Sequence, residues 1–154
     1  MIQRIQTLYL LVVTLFMAIT LFAPIATFTA VSGDVYTLSA FELSNGVDGQ
    51  STLWMGILLV LATILPLVTI FLFKNRQLQL RLCGAEVVLL LGAVAFVAIY
   101  YWLSSNNALE SVEIVHRSFG WAAIMPLLAL VLAFLAARGI FKDEILVRSL
   151  DRIR

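Results

Sequence analysis

The chain has 154 residues, of which 62% are hydrophobic and 12% charged, with a formal net charge of +1. Soluble domains carry roughly 45–50% apolar and about 25% charged residues, and a fold this small has too much surface for its volume to bury such an excess. An ordinary soluble domain is excluded, and the small net charge gains meaning only once the charges are placed along the chain.

A helix crossing about 30 Å of hydrocarbon needs about 20 apolar residues. The first candidate span covers residues 5–27, interrupted by nothing costlier than Gln6 and scattered threonines. Its apolar core exceeds the 7–15 residues usual in a signal sequence, and no convincing small-residue cleavage site follows, so it reads as a retained span. Next comes a loop, residues 27–52, in which β-branched and aromatic residues flank Ser32-Gly33-Asp34. That pattern predicts a short β-hairpin. Asn45-Gly46 and Asp48-Gly49 mark a flexible turn. The second span, 53–73, carries no charge before Phe73, and the third, 82–103, carries one, Glu86. The following loop contains Ser111-Val-Glu-Ile-Val-His116, an alternating run suited to a further strand. The fourth span covers about 119–137. The tail, 142–154, reads as an amphipathic helix with Leu146, Leu150 and Ile153 on one face and Glu144, Arg148 and Arg152 on another. The expected fold is an all-α membrane protein: one domain over 1–154, a four-helix bundle with a small hairpin or sheet built by the outer loops.

Orientation follows from the basic residues of the short loops. Arg4 precedes the first span, Lys74, Arg76 and Arg81 lie between the second and third, and Arg138, Lys142, Arg148, Arg152 and Arg154 follow the fourth. Nine of the ten Lys and Arg thus fall on one side, leaving Arg117 on the other. The opposite side holds Asp34, Glu42, Asp48, Glu110 and Glu113. Trp54, Tyr100, Tyr101, Trp102 and Trp121 fall at the outer span ends, where aromatic side chains favour the headgroup level. Both termini are expected in the cytoplasm.

Few residues bear chemistry. Glu86 is the only charge inside a span, and a carboxylate in hydrocarbon is costly enough to flag function. It lies about a turn beyond Arg81, near the interface, so pairing with Arg4, Arg81 or Arg138 stands beside a role in proton or ion movement. A relay needs a second titratable group deeper in the membrane, and the sequence has none. A lone histidine, His116, cannot supply bis-histidine haem ligation, and with Glu110 and Glu113 it makes a poor zinc set. The single cysteine, Cys83, excludes an internal disulfide; it reads as a buried small hydrophobe, with lipid modification as the alternative. Ala129, Ala133 and Ala137 form a small-residue ridge that packs within the bundle or against a second copy. No phosphate-binding loop, nucleophile elbow or zinc-protease helix occurs.

The opening Met1-Ile-Gln-Arg-Ile-Gln-Thr-Leu-Tyr-Leu, the inner Phe73-Lys-Asn-Arg-Gln-Leu-Gln-Leu-Arg-Leu-Cys83 and the closing Lys142-Asp-Glu-Ile-Leu-Val-Arg-Ser-Leu-Asp-Arg-Ile-Arg154 are distinctive. Together they resemble, over the whole length, a family of four-span inner-membrane proteins of the Bacteroidota known as domain of unknown function four-two-nine-three. The resemblance implies the same topology and a Gram-negative inner membrane, and it supplies no catalytic residues.

These readings lead to an uncharacterised, non-enzymatic membrane protein without cofactor, metal or nucleic acid. It is expected to act as a structural or accessory subunit that contacts lipid and another membrane or cytosolic protein, with a homo-oligomer left open. Arg4, Lys74, Arg76, Arg81, Lys142, Arg148 and Arg152 are the candidate partner or lipid contacts, and Glu86 the candidate intramembrane ion pair. The alternative is a small transporter or channel subunit that uses Glu86 with Thr14, Thr20, Thr63 and Thr69 as a polar path.

Overall fold

The structure is a computed structural model that describes residues 2–46, 49–72, 75–106 and 114–151, without the side chains of 2–4, 76, 105–106 and 147–151. Helix α1 (Ile2–Phe22) is followed by strands β1 (Ala26–Ala30), β2 (Val35–Leu38), β3 (Glu42–Ser44) and β4 (Gly49–Ser51). Helices α2 (Leu53–Phe71) and α3 (Arg76–Asn106), strand β5 (Ile114–Phe119), a 3-10 turn (Trp121–Ile124) and helix α4 (Met125–Asp151) complete the chain. All four α-helices contain stretches long and apolar enough to cross a membrane.

Each helix has neighbours on two sides, α1 against α2 and α4, and α3 against α2 and α4. Small residues on α4 permit the close approach: Ala129, Ala133 and Ala136 are buried, and Ala137 is only partly covered. Ala136 thus takes the innermost place where the four-residue spacing suggested Ala137. Only 28–33% of each apolar stretch is buried inside the fold. Leu8, Leu11 and Leu15 of α1 and Val88 and Leu91 of α3 are among the many large apolar side chains left outward. Water is a poor solvent for such a surface and hydrocarbon a good one, so the molecule has the form of a multi-pass membrane protein.

The first span is shorter than its apolar run. Helix α1 ends at Phe22, and residues 26 and 27, expected inside the span, belong to β1. Pro24 explains the stop, since it lacks a backbone N–H and biases the residue before it towards extended geometry. The alternating Ala-Thr-Phe-Thr-Ala then forms a strand with Ala26, Phe28 and Ala30 buried. Helices α3 and α4 are longer than expected. The 31 residues of α3 reach about 46 Å and the 27 of α4 about 40 Å, both beyond a hydrocarbon core of about 30 Å. Residues 142–151 are therefore no separate tail helix but the continuation of α4.

The five strands form one antiparallel sheet in the order β4-β3-β2-β1-β5. The expected hairpin about Ser32-Gly33-Asp34 is β1–β2, with Gly33 at φ +91, a left-handed conformation glycine adopts freely. The stretch with Asn45-Gly46 is the end of a second hairpin, since Ser44 pairs with Gly49 across it; Val47 and Asp48 lie outside the described residues. The strand expected over 111–116 is found at Ile114–Phe119, and residues 111–113 lie outside the description. One sheet face packs on the bundle. Phe28, Leu38 and Leu43 share a continuous core with Val13 and Met17 of α1, Met55 and Leu59 of α2, Val97 of α3 and Ala129 of α4. The other face carries a row of hydroxyls, since Ser118, Thr27, Thr37 and Ser44 are successive cross-strand partners.

Three contacts fix the sheet to the helices. Thr52, just before α2, donates its hydroxyl to the Ala40 carbonyl at 3.2 Å and its N–H to Phe41 O at 2.9 Å. Tyr101 near the end of α3 stacks on Phe119 of β5 with ring centroids 3.9 Å apart and meets Phe28 at 5.4 Å. Tyr101 thus clamps the sheet, whereas Trp54, Trp102 and Trp121 stay outward around the same level. The Gly120 N–H donates to Ile25 O at 2.9 Å, where the entry to α4 crosses the exit from α1.

A Cβ on Gly120 would fall on the Pro24 carbonyl oxygen and lie 2.9 Å from Ile25 O, both main-chain atoms that cannot swing away. Gly120→Ala is expected to cost roughly 1–3 kcal/mol. Gly84→Ala, with nothing within 4 Å, is expected to be neutral or slightly stabilising. Thermal unfolding in detergent, followed by circular dichroism, checks the pair, and equal midpoints would contradict the close crossing.

Candidate functional site

The residues singled out by charge gather at the end of the bundle opposite the sheet. Arg4 lies in the first turn of α1, Arg76 begins α3, Arg81 is exposed one turn further, and Lys142 is exposed near the end of α4. Arg148 is in the last turns of α4; its side chain, with those of Arg4 and Arg76, lies outside the described residues, as do Lys74 and Arg152 altogether.

Between this end and the middle of the bundle sits Glu86. The charge-pair expectation fails for Arg81 and Arg138. Glu86 is 0% exposed, and neither carboxylate oxygen has a hydrogen-bond partner. Arg81 and Arg138 instead point outward. Helical phase is the reason: Arg81 is five residues before Glu86, about 140° around the helix at 3.6 residues per turn, so the two side chains leave α3 on different faces. Glu86 shares its face with Cys83 and Leu90, each about one turn away, and both are buried.

Apolar residues close the bundle on both sides of the carboxylate. Towards the terminal end Cys83 packs with Leu10, Ala136 and Ile140. Towards the sheet Leu90, Ala93, Val13, Met17 and Leu59 belong to the main core. The facing helix α2 supplies no ionisable side chain, but it does contain the buried Pro66. Proline has no N–H to give, so the Ala62 carbonyl loses its usual helix donor. Gly92 meets Leu58, and Gln79 reaches Thr69, which puts Glu86 level with the Ala62 turn.

A buried polar ring at the terminal end went unrecognised in the sequence. Gln6 is 5% and Gln79 8% exposed. Gln6 donates its amide to Asp143 Oδ2 at 2.8 Å, tying the start of α1 to α4. Gly139 makes room, since a Cβ there would lie 3.1 Å from Gln6 Cγ. Gln79 Nε2 reaches the Thr69 carbonyl at 3.5 Å, tying α3 to α2. The signal was available: a glutamine, a glycine and an aspartate at span edges are costly unless they meet one another.

The remaining candidates find ordinary places. Cys83 is 1% exposed and inside the core, where a lipid-transferring enzyme has no access. His116 is exposed on β5, paired with Thr29; Glu110 and Glu113 lie outside the described residues. Among the described residues no three His, Cys, Asp or Glu side chains cluster so as to hold a metal ion. Thr14, Thr20, Thr63 and Thr69 donate their hydroxyls to the carbonyls of Leu10, Phe16, Leu59 and Leu65 at 2.8–3.0 Å. Each is therefore satisfied within its own helix and they do not join into a path. A shallow apolar groove lined by Leu15, Ala18, Ile19, Phe22, Ala23 and Trp121 opens at the sheet end, away from Glu86.

An unpartnered buried polar group costs about 1–3 kcal/mol. Glu86→Met, which fills the same space without the unmet oxygens, is expected to raise the thermal midpoint by several degrees. Gln6→Leu is expected to lower it by breaking the bond to Asp143. Parallel unfolding curves check both, and a less stable Glu86→Met protein would show that the carboxylate contributes to the fold.

No curated protein matches the chain. The family model described as domain of unknown function (DUF4293) matches residues 2–153, and this sheet-capped bundle of four apolar helices belongs to that family.

Proposed function

We propose that the chain is a non-catalytic, multi-pass protein of a Gram-negative inner membrane, with both termini and the α2–α3 connection in the cytoplasm. It serves as an accessory subunit that holds another protein against that face. One observation carries this reading: α4 runs on as a helix past the end of α1, and just before that overhang Phe141, Ile145 and Leu146 are exposed beside Lys142. Gln6 lies beside Gly139 and Asp143, so the first residues of α1 stand level with about residue 145, and α4 continues to Asp151. Apolar side chains on a helix leaving the hydrocarbon, among arginines and lysines, suit an amphipathic helix-in-groove contact. The count of nine among ten basic residues supports the orientation.

Photo-crosslinking side chains placed at Phe141 and Ile145 are expected to capture one common protein in cells, while a probe at Ile57, on the lipid-facing side of α2, captures none. Arg148→Glu combined with Arg152→Glu should weaken that adduct at unchanged protein level. Absence of any adduct from both α4 sites would overturn the subunit reading. Orientation is tested separately by single-cysteine labelling, for which the buried Cys83 leaves little background. A thiol at Ser32 should react with an impermeant maleimide added outside the inner membrane, and one at Lys142 should not.

A second reading, a small transporter or channel subunit using Glu86, is favoured by the buried unpartnered carboxylate. The filled core beyond it weighs against a continuous path through one copy. Ion flux in reconstituted vesicles, lost in Glu86→Gln, would reverse that ranking.

A further inference from the structure

We infer that Glu86 is a one-sided proton-binding site, exchanging its proton with the solution at the terminal end of the bundle through the throat formed by Gln79, Gln6 and Thr69. The inference goes beyond the subunit reading and holds whichever compartment that end faces.

The geometry selects the ligand. Both oxygens of a fully buried carboxylate lack a protein partner, so something else must complete the group. A metal cation of the calcium or magnesium type requires at least six oxygen ligands. Among the described residues no three His, Cys, Asp or Glu side chains gather to hold a metal ion, the buried neighbours of Glu86 along α3 are Cys83 and Leu90 of the apolar clusters, and α2 brings no ionisable side chain. A proton needs one acceptor oxygen only, and the resulting carboxyl O–H needs one acceptor in turn. The Ala62 carbonyl, deprived of its helix donor by Pro66, stands at the right depth on the facing helix.

The geometry also selects the route. Towards the sheet, Leu90, Ala93, Met17 and Leu59 are each 0% exposed, and among the described residues no buried polar side chain intervenes before Thr20. Towards the terminal end a single buried layer, Cys83 with Leu10, Ala136 and Ile140, stands between Glu86 and the buried polar side chains of Gln79, two turns away, and Thr69. Proton traffic therefore enters and leaves by one end, which makes the site a reservoir or sensor and not a conduit. The other ionisable groups turned towards this region are few. Cys83 shares the helix face of Glu86, and Tyr9 on α1 packs beside Cys83. Helix α2 offers none, and α4 offers Asp143, engaged by Gln6, with Arg138 turned outward.

The test is infrared difference spectroscopy on the full chain in phosphatidylcholine vesicles. The wild type is expected to show a carboxylic acid C=O band that Glu86→Gln removes and Glu86→Asp shifts. The band should move in D2O and fade reversibly as the medium is raised from about pH 5 to pH 10. Gln79→Leu should slow the deuterium shift several-fold. No band assignable to Glu86 at any pH, or one indifferent to pH and D2O, overturns the proton site. Loss of the band on adding sodium or calcium at fixed pH makes it a cation site and overturns it equally. An unchanged exchange rate in Gln79→Leu overturns the route.

Discussion

Unpaired polar atoms cannot be left in hydrocarbon, and this constraint shapes nearly every part of the molecule. Main-chain groups are consumed by four helices along the apolar stretches, and strands occur only beyond them. Where the chain leaves a helix, something takes up the slack: Thr52 holds the loop carbonyls before α2, and Gly120 meets the carbonyl of Ile25 before α4. Polar side chains obey the same rule. The spanning threonines turn their hydroxyls back on their own helices, and Gln6 finds Asp143. Glu86 breaks the rule: among the described residues its two oxygens are buried side-chain atoms without a hydrogen-bond partner.

Sheet and bundle are one packed body. Phe28 is the hinge pin of this union: it lies in the central strand pair, contacts Tyr101 of α3, and belongs to the same core as Met17 and Leu59. A lone hairpin is marginal in water. Here the underside of the sheet is buried by helix ends, so the strands gain the support that their own few pairings lack. Aromatic residues divide between two duties at this level, since Tyr101 stacks on Phe119 and reaches the buried Phe28 while Trp54, Trp102 and Trp121 stay at the periphery.

Much of this was legible in the residues. Unbroken apolar length announced four helices, and Gly33 between β-branched runs announced the first hairpin. What escaped was whatever depends on one element meeting another. Pro24 sits within an apolar run, so hydropathy alone carried the first span across it, and only the strand pairing of Ala26 and Thr27 shows where the helix stops. The five-stranded order needs β5 to find β1, a partnership no local pattern encodes. Glu86 was recognisable as a flag, yet Arg81 leaves α3 on another face and Arg138 points outward, which a one-dimensional distance from Arg81 conceals. Gln6, Gly139 and Asp143 become a site only when α1 and α4 are laid side by side.

The position of β1 has a consequence for biogenesis. It is bordered by β2, made immediately after it, and by β5, made only after two further helices. As the chain emerges, β1 must keep one edge vacant while α2 and α3 are threaded into the bilayer, and the stretch leading to α4 then closes it. Strand β5 lies just ahead of α4 in the chain, so a copy cut short before residue 114 would leave that edge of β1 uncovered.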